Sequence, residues 1–167
     1  KVYVFDYIIA EIYNEGKYMG GRITMKKTDY RVERDSIGVK DIPEDVARKA
    51  RYMVVSLPSN PVGSIATPGL YEEIVAFAKK YDILIIHDNA YSDIIFDGGS
   101  FLATPGAREV GVEFFSLSKS FNVTGARISF LIGNPEIISA LKKLRSQIDF
   151  GMFLPIQKAA IAALEGP

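Results

Sequence analysis

The chain has 167 residues with 20 basic and 20 acidic side chains, one histidine and no cysteine. That length fits one domain, and a hydrophobic fraction of 48% excludes a disordered chain. A formal net charge of zero argues against a protein built to coat nucleic acid or an anionic membrane. Without cysteine there is no disulfide framework and no thiolate metal site, and His87 alone cannot build a multi-histidine centre.

In chain order, residues 2–5 are a short β-like run. Residues 7–13 are predicted as a helix stopped by Gly16, and residues 22–25 as a second strand. Residues 28–42 read as a polar connection, and residues 43–51 as a helix with Pro43 tolerated in its first turn. The pattern then sharpens. Residues 52–57 form a continuous apolar strand. Thr67 is expected as an N-cap and Pro68 as the first position of a helix that runs to Tyr81. Its buried stripe is Leu70, Ile74, Phe77 and Ala78. Residues 83–87 are the next apolar strand. Strand, helix and strand in this order make a βαβ unit with parallel strands. Their unbroken apolar character predicts helices over both faces. Residues 112–117 and 127–132 are further strands. Asn134-Pro135-Glu136 repeats the cap signal for a helix to Ile148, and residues 155–164 form a last helix. The class is α/β with a mostly parallel sheet.

No apolar run reaches the ~18 residues of a membrane span, and the start lacks an apolar signal core behind a basic end. A cytoplasmic location is expected. Residue 1 is Lys and already enters a strand, while Gly166-Pro167 follow directly on a helical pattern. The expectation is a piece of something longer.

In an open α/β sheet, ligands bind beyond the carboxyl ends of the parallel strands. Asn60, Asp88, Tyr91, Ser116, Ser118 and Lys119 all sit at or just past successive strand ends, and Arg127 follows within reach. The set has a chemical logic. A lysine amine forms a Schiff base with a carbonyl cofactor. In pyridoxal phosphate, an aspartate keeps the pyridine nitrogen protonated, which makes the ring an electron sink. Asn and Tyr suit the ring's phenolic oxygen; serine hydroxyls and an arginine fork suit the phosphate. Taken singly, each residue has a plainer reading. Asn60 to Gly63 is turn chemistry, Asp88 can cap a helix, and Ser118-Lys119 can be a solvated loop. His87 should point away from Asp88, to the opposite face, as a packed or solvated side chain. Most of the ten Phe and the tyrosines Tyr3, Tyr7 and Tyr13 read as core.

Three segments, in order, resemble the class I/II pyridoxal-phosphate-dependent aminotransferases of the aspartate aminotransferase fold type. They are Pro58-Ser59-Asn60-Pro61-Val62-Gly63, His87-Asp88-Asn89-Ala90-Tyr91, and the run from Ser116 through Ser118-Lys119-Ser120 to Gly125-Ala126-Arg127. The spacings agree as well, 88 − 60 = 28 and 127 − 119 = 8. Phe96-Asp97-Gly98 and Phe101 to Ala107 look like a bacterial branch near the aspartate and LL-diaminopimelate aminotransferases. The resemblance implies a three-layer α/β/α fold, with residues 1–167 as part of the large, cofactor-binding domain. A preceding segment and the C-terminal small domain, whose arginine grips the substrate carboxylate, would be absent.

The same resemblance implies roles. Lys119 would hold the cofactor as a Schiff base and then serve as general acid and base. Asp88 would pair with the ring nitrogen, and Asn60 and Tyr91 with the ring oxygen. Ser116, Ser118 and Arg127 would bind the phosphate. Phe5 is the candidate for a ring stacked on the cofactor. Substrates would be an amino acid and a 2-oxo acid, and the assembly a homodimer of the full-length form, with no nucleic-acid or membrane partner. Two alternatives share these motifs: a C–S β-lyase acting on sulfur amino acids, and a truncated domain that folds without turnover.

Overall fold

The computed structural model describes residues 38–60, 63–95, 99–149 and 151–166, with the backbone of two further strands near the start. The expected strand at 22–25, most of the 28–42 connection, Pro61-Val62 and Phe96-Asp97-Gly98 lie outside the described residues.

Six strands lie side by side in chain order in one sheet: β1 (Val2–Phe5), β2 (Ile8–Glu11), β3 (Tyr52–Ser56), β4 (Leu84–Asp88), β5 (Gly111–Ser116) and β6 (Ser129–Gly133). The centre, β3–β4–β5, is parallel. β1 and β2 extend it antiparallel on one side, and β6 closes it antiparallel on the other. The sheet is mixed, with its βαβ unit where the apolar pattern put it. β2 replaces the helix expected over 7–13. Ile8 and Ile9 are β-branched, and β3 offers them a ladder, Ile8 against Val55 and Ile9 against Val54. An isolated helix of so few residues cannot recover its nucleation cost.

The helices are α1 (Glu44–Ala47), α2 (Leu70–Tyr81), α3 (Ala107–Val110), α4 (Leu117–Ser120), α5 (Pro135–Ile148) and α6 (Leu154–Glu165). α1 is shorter than the 43–51 expectation, because a turn that buries Ala50 leads the chain into β3. α2 ends at Tyr81 as expected but starts at Leu70 rather than at Pro68. Gly69 sits at φ 85, a left-handed conformation that interrupts any helix begun earlier. Thr67 therefore closes a turn, its carbonyl accepting from Leu70 N at 3.1 Å, instead of capping.

The buried face of α2, Leu70, Ile74, Val75 and Ala78, packs with Met53 and Val55 of β3 and Ile85 of β4. Phe77 is only partly buried, beside Tyr81. Burying one such aliphatic side chain is worth ~1.5–3 kcal/mol, so this interface is the main cohesive layer. Burial along β3 and β4 alternates: Met53, Val55, Ile85 and His87 are buried, while Val54, Ile86 and Asp88 are half-buried. Coverage of both faces, expected from the apolar runs, is thus complete only on the α2 face among the described residues. A second, smaller cluster joins Leu117, Ile128 and Ala160.

Asn134 caps α5 as the sequence pattern requires. Its Oδ1 accepts from Glu136 N at 2.9 Å and Ile137 N at 3.3 Å, and its Nδ2 donates to the Glu109 carbonyl at 2.9 Å. The preceding Gly133 has φ 138, and a Cβ there would lie 2.5 Å from the Gly111 carbonyl oxygen; only glycine lets β6 lie so close to β5. Asn134→Ala should cost about 1–2 kcal/mol of stability in urea unfolding, with the loss confined to the α5 end in hydrogen exchange.

Candidate functional site

Because β3, β4 and β5 run parallel, their carboxyl ends open on one edge of the sheet. The chain leaves β3 through Leu57, a cis Leu57–Pro58 peptide and Ser59 to reach Asn60. Asp88 is the last residue of β4, and Tyr91 follows it at the entry to a 3-10 turn. Ser116 ends β5, and Ser118 and Lys119 lie in α4.

These exits are bonded to one another. Asn60 Nδ2 donates to Tyr91 Oη at 2.9 Å, which joins the loops after β3 and β4. With its lone pair so used, the phenol keeps its own proton to donate elsewhere. Lys119 Nζ lies 5.5 Å from the centroid of the Tyr91 ring, which brings in the loop after β5. Ser116 Oγ accepts from Ser118 N at 3.2 Å and so caps α4. Thr124 Oγ1 donates to the Ser118 carbonyl at 3.1 Å, and Arg127 Nη1 donates to the Thr124 carbonyl at 3.3 Å. Arg127 has φ 53. Holding a non-glycine residue in that region costs ~1–3 kcal/mol, and such strain clusters at functional sites.

Lys119 and Arg127 are exposed, Ser118 is buried and Asp88 is half-buried. Among the described residues, neither the Lys119 amine nor the Asp88 carboxylate forms an ion pair. Among the described residues no hydrogen bond or ion pair joins Asp88 or Arg127 to Asn60, Tyr91 or Lys119. The Phe5 side chain lies outside the described residues. One cross-link went unread in the sequence: Ser120 Oγ donates to Asp93 Oδ2 at 2.7 Å and ties α4 to the Tyr91 turn. Its two residues sit within the quoted segments or just after them, but nothing local pairs them.

Beneath this edge lies a buried polar cluster that no sequence signal announced beyond one acid in an apolar strand. Glu113 and His87 face each other across β4 and β5, and both are fully buried. Asn89 Nδ2 donates to Glu113 Oε1 at 2.8 Å, and Ser100 Oγ and Leu102 N donate to Oε2 at 3.1 and 3.2 Å. His87 Nδ1 lies 3.1 Å from Oε2, within ion-pair distance but outside hydrogen-bond geometry. Tyr71 Oη is 3.2 Å from His87 Nε2. Burial, and then the charge of Glu113, pushes the Tyr71 hydroxyl well above its ordinary value, so it stays protonated. His87 points away from Asp88, as strand alternation requires.

Burial alone would raise the Glu113 carboxyl. The His87, Asn89 and Ser100 contacts outweigh it and hold the group below its ordinary value of 4.5. The unfolded chain then binds the proton more readily, so folding gains stability above that value and loses it as pH falls toward the folded one. Unfolding midpoints should drop as pH falls below 4.5, and Glu113→Gln should lack this part of the drop. Glu113→Ala should cost about 3 kcal/mol or more, since it strands several buried donors.

The donor set fits pyridoxal phosphate by its chemistry: an unpaired amine for the aldehyde, an unpaired carboxylate for the ring nitrogen, an amide–phenol pair for the ring oxygen, and hydroxyls with a guanidinium for the phosphate. The described residues include no group of three or more side chains able to hold a metal, and no helix among them is long and apolar enough to cross a membrane.

Comparisons with known proteins converge on the same chemistry. The family model "Aminotransferase class I and II" matches residues 17–167. An LL-diaminopimelate aminotransferase of Moorella thermoacetica is 48% identical over 129 residues, 75% of this chain and 33% of that protein. The glutamate-pyruvate aminotransferase AlaC of Escherichia coli is 50% identical over 121 residues, 71% of this chain and 29% of that protein. Among solved structures, a probable N-succinyldiaminopimelate aminotransferase from Thermus thermophilus superposes with a TM-score of 0.76 at 37% identity, covering 82% of this chain and 38% of that one. Substrate-bound BacF from Bacillus subtilis gives 0.73 at 39% identity, covering 77% and 33%. The chain thus spans about a third of the length of the curated relatives it matches. Its strand-end residues, its fold and these matches together show that the chain belongs to the class I and II aminotransferases, a family dependent on pyridoxal phosphate.

Proposed function

We propose that this chain is part of the cofactor-binding domain of an enzyme that moves an amino group between an amino acid and a 2-oxo acid. The observation that carries the reading is the Asn60–Tyr91 hydrogen bond with Lys119 Nζ over the Tyr91 ring, at the sheet edge where Asp88 ends β4. The relatives' names, aminotransferases of LL-diaminopimelate or of glutamate and pyruvate, support the same substrate class. In this reading the full-length protein is a cytoplasmic homodimer.

Lys119 Nζ is the nucleophile toward the cofactor's carbonyl carbon. As a free amine the same nitrogen would serve as general base and then acid for the 1,3-proton shift at the substrate Cα. The Asp88 carboxylate keeps the ring nitrogen protonated. When bound, the cofactor supplies the sink for the electron pair that the lost proton leaves behind. Tyr91, oriented by Asn60, donates its remaining proton to the ring oxygen. Arg127 spends one N–H on the Thr124 carbonyl and keeps the rest of its fork for phosphate oxygens, beside the Ser116 and Ser118 hydroxyls.

Incubation with pyridoxal phosphate, borohydride reduction and peptide mass analysis should place the adduct on Lys119 and find none there in Lys119→Ala. An adduct spread over surface lysines, with the same absorbance in both proteins, would sink the assignment. Product analysis separates the reactions: an amino donor and a 2-oxo acid should yield a new amino acid. Pyruvate and ammonia released from cysteine or cystathionine would instead assign a β-lyase, and a bound cofactor with neither product would assign a non-catalytic domain.

A further inference from the structure

We propose that Glu113 is a positioning residue for Asp88: from the opposite face of the sheet it clamps the residues on either side of Asp88 and so sets where that carboxylate points. The inference rests on the reading of Asp88 as partner of the ring nitrogen.

The ladder that aligns β4 with β5 ends at Asp88, paired with Phe114. One further backbone bond, Asn89 N to the Phe114 carbonyl at 3.0 Å, follows it. Beyond that point the chain leaves the sheet, so the ladder that pairs Asp88 with Ser56 and Phe114 supports it from the amino-terminal side with only this one bond after it. Side chains take over. Residues 87 and 89 share a face, and Asp88 takes the other. Both neighbours reach the same carboxylate: Asn89 by a 2.8 Å hydrogen bond to Oε1, and His87 at 3.1 Å from Oε2. Glu113 itself cannot turn, because Ser100 Oγ and Leu102 N hold Oε2. His87 is steadied further by Tyr71 Oη and by edge contact with the Tyr71 ring, centroids 5.3 Å apart.

Core cohesion does not require this arrangement. A buried charge with several polar partners is often no more stabilising than an apolar residue of the same volume. The neighbouring buried position of β5, Val112, is apolar. What the carboxylate adds is direction. Among the described residues its hydrogen-bond donors are Asn89 and the 100–102 segment, with His87 Nδ1 at ion-pair distance, so its contacts include both residues flanking Asp88.

The test compares the protein with Glu113→Gln and Asp88→Asn. Three quantities are read: the Kd for pyridoxal phosphate, the pH midpoint of the bound cofactor's visible absorbance, and Tm. Glu113→Gln is expected to weaken cofactor binding about tenfold, short of the ~10²-fold that a misplaced group can cost. It should also move the absorbance midpoint in the same direction as Asp88→Asn. A lower Tm with unchanged Kd and midpoint would show a purely structural role and overturn the proposal. If Asp88→Asn itself changes neither quantity, the reading of Asp88 fails, and the positioning role fails with it. Should Glu113→Gln not fold, Ser100→Ala removes a single donor from the same carboxylate; a smaller shift in the same direction supports the clamp, and no shift refutes it.

Discussion

Parallel pairing of β3, β4 and β5 sends three chain exits to the same edge of the sheet, and every other feature of the site depends on that. Asn60 and Tyr91, 31 positions apart in the chain, become bonded neighbours, and Asp88, 28 positions from Asn60, ends on the same edge, because their strands are adjacent and aligned. An antiparallel centre would have put Asn60 and Tyr91 at opposite ends of the sheet. The α2 connection between β3 and β4 is therefore more than a packing layer: it is the crossover without which the edge would not exist. Its apolar stripe against Met53, Val55 and Ile85 stabilises the geometry on which the chemistry stands.

The two-residue alternation of a strand then divides labour within β4. Asp88 faces the side left half-open, where a charged carboxylate keeps access to a ligand. His87 faces the closed side, with Asn89 beyond it, where polar groups must satisfy each other. The same strand end thus carries a half-buried acid and a buried network at adjacent positions. Around the lysine the arrangement is looser and local: a four-residue helix, a serine cap and hydrogen bonds through Thr124 and Asp93. Rigid strands place the carboxylate, and a short hydrogen-bonded turn places the amine.

Local chemistry made several features legible. Asn134-Pro135-Glu136 carries its own cap, so the start of α5 could be read directly. The apolar runs of β3 and β4 could not be helices of that length between turn residues, and the βαβ unit followed. Thr67-Pro68 misled because the deciding residue was Gly69, whose left-handed backbone delays the helix. Residues 7–13 misled because a strand's partner lies some 45 positions away, at Val54 and Val55; periodicity in a short window carries no record of it.

The site divides in the same way. Composition and order along the chain picked out the residues proposed for the chemistry, from Asn60 through Asp88 and Tyr91 to Lys119 and Arg127, since an amine, an acid and a guanidinium keep their chemical character wherever they fold. Contacts across the sheet decided how those groups are oriented. The Asn60–Tyr91 bond, the Ser120–Asp93 tie and the Asn89–Glu113 bond each join residues between 24 and 31 positions apart. Such pairings depend on strand register and on which face closes over, and both exist only once the whole sheet has assembled.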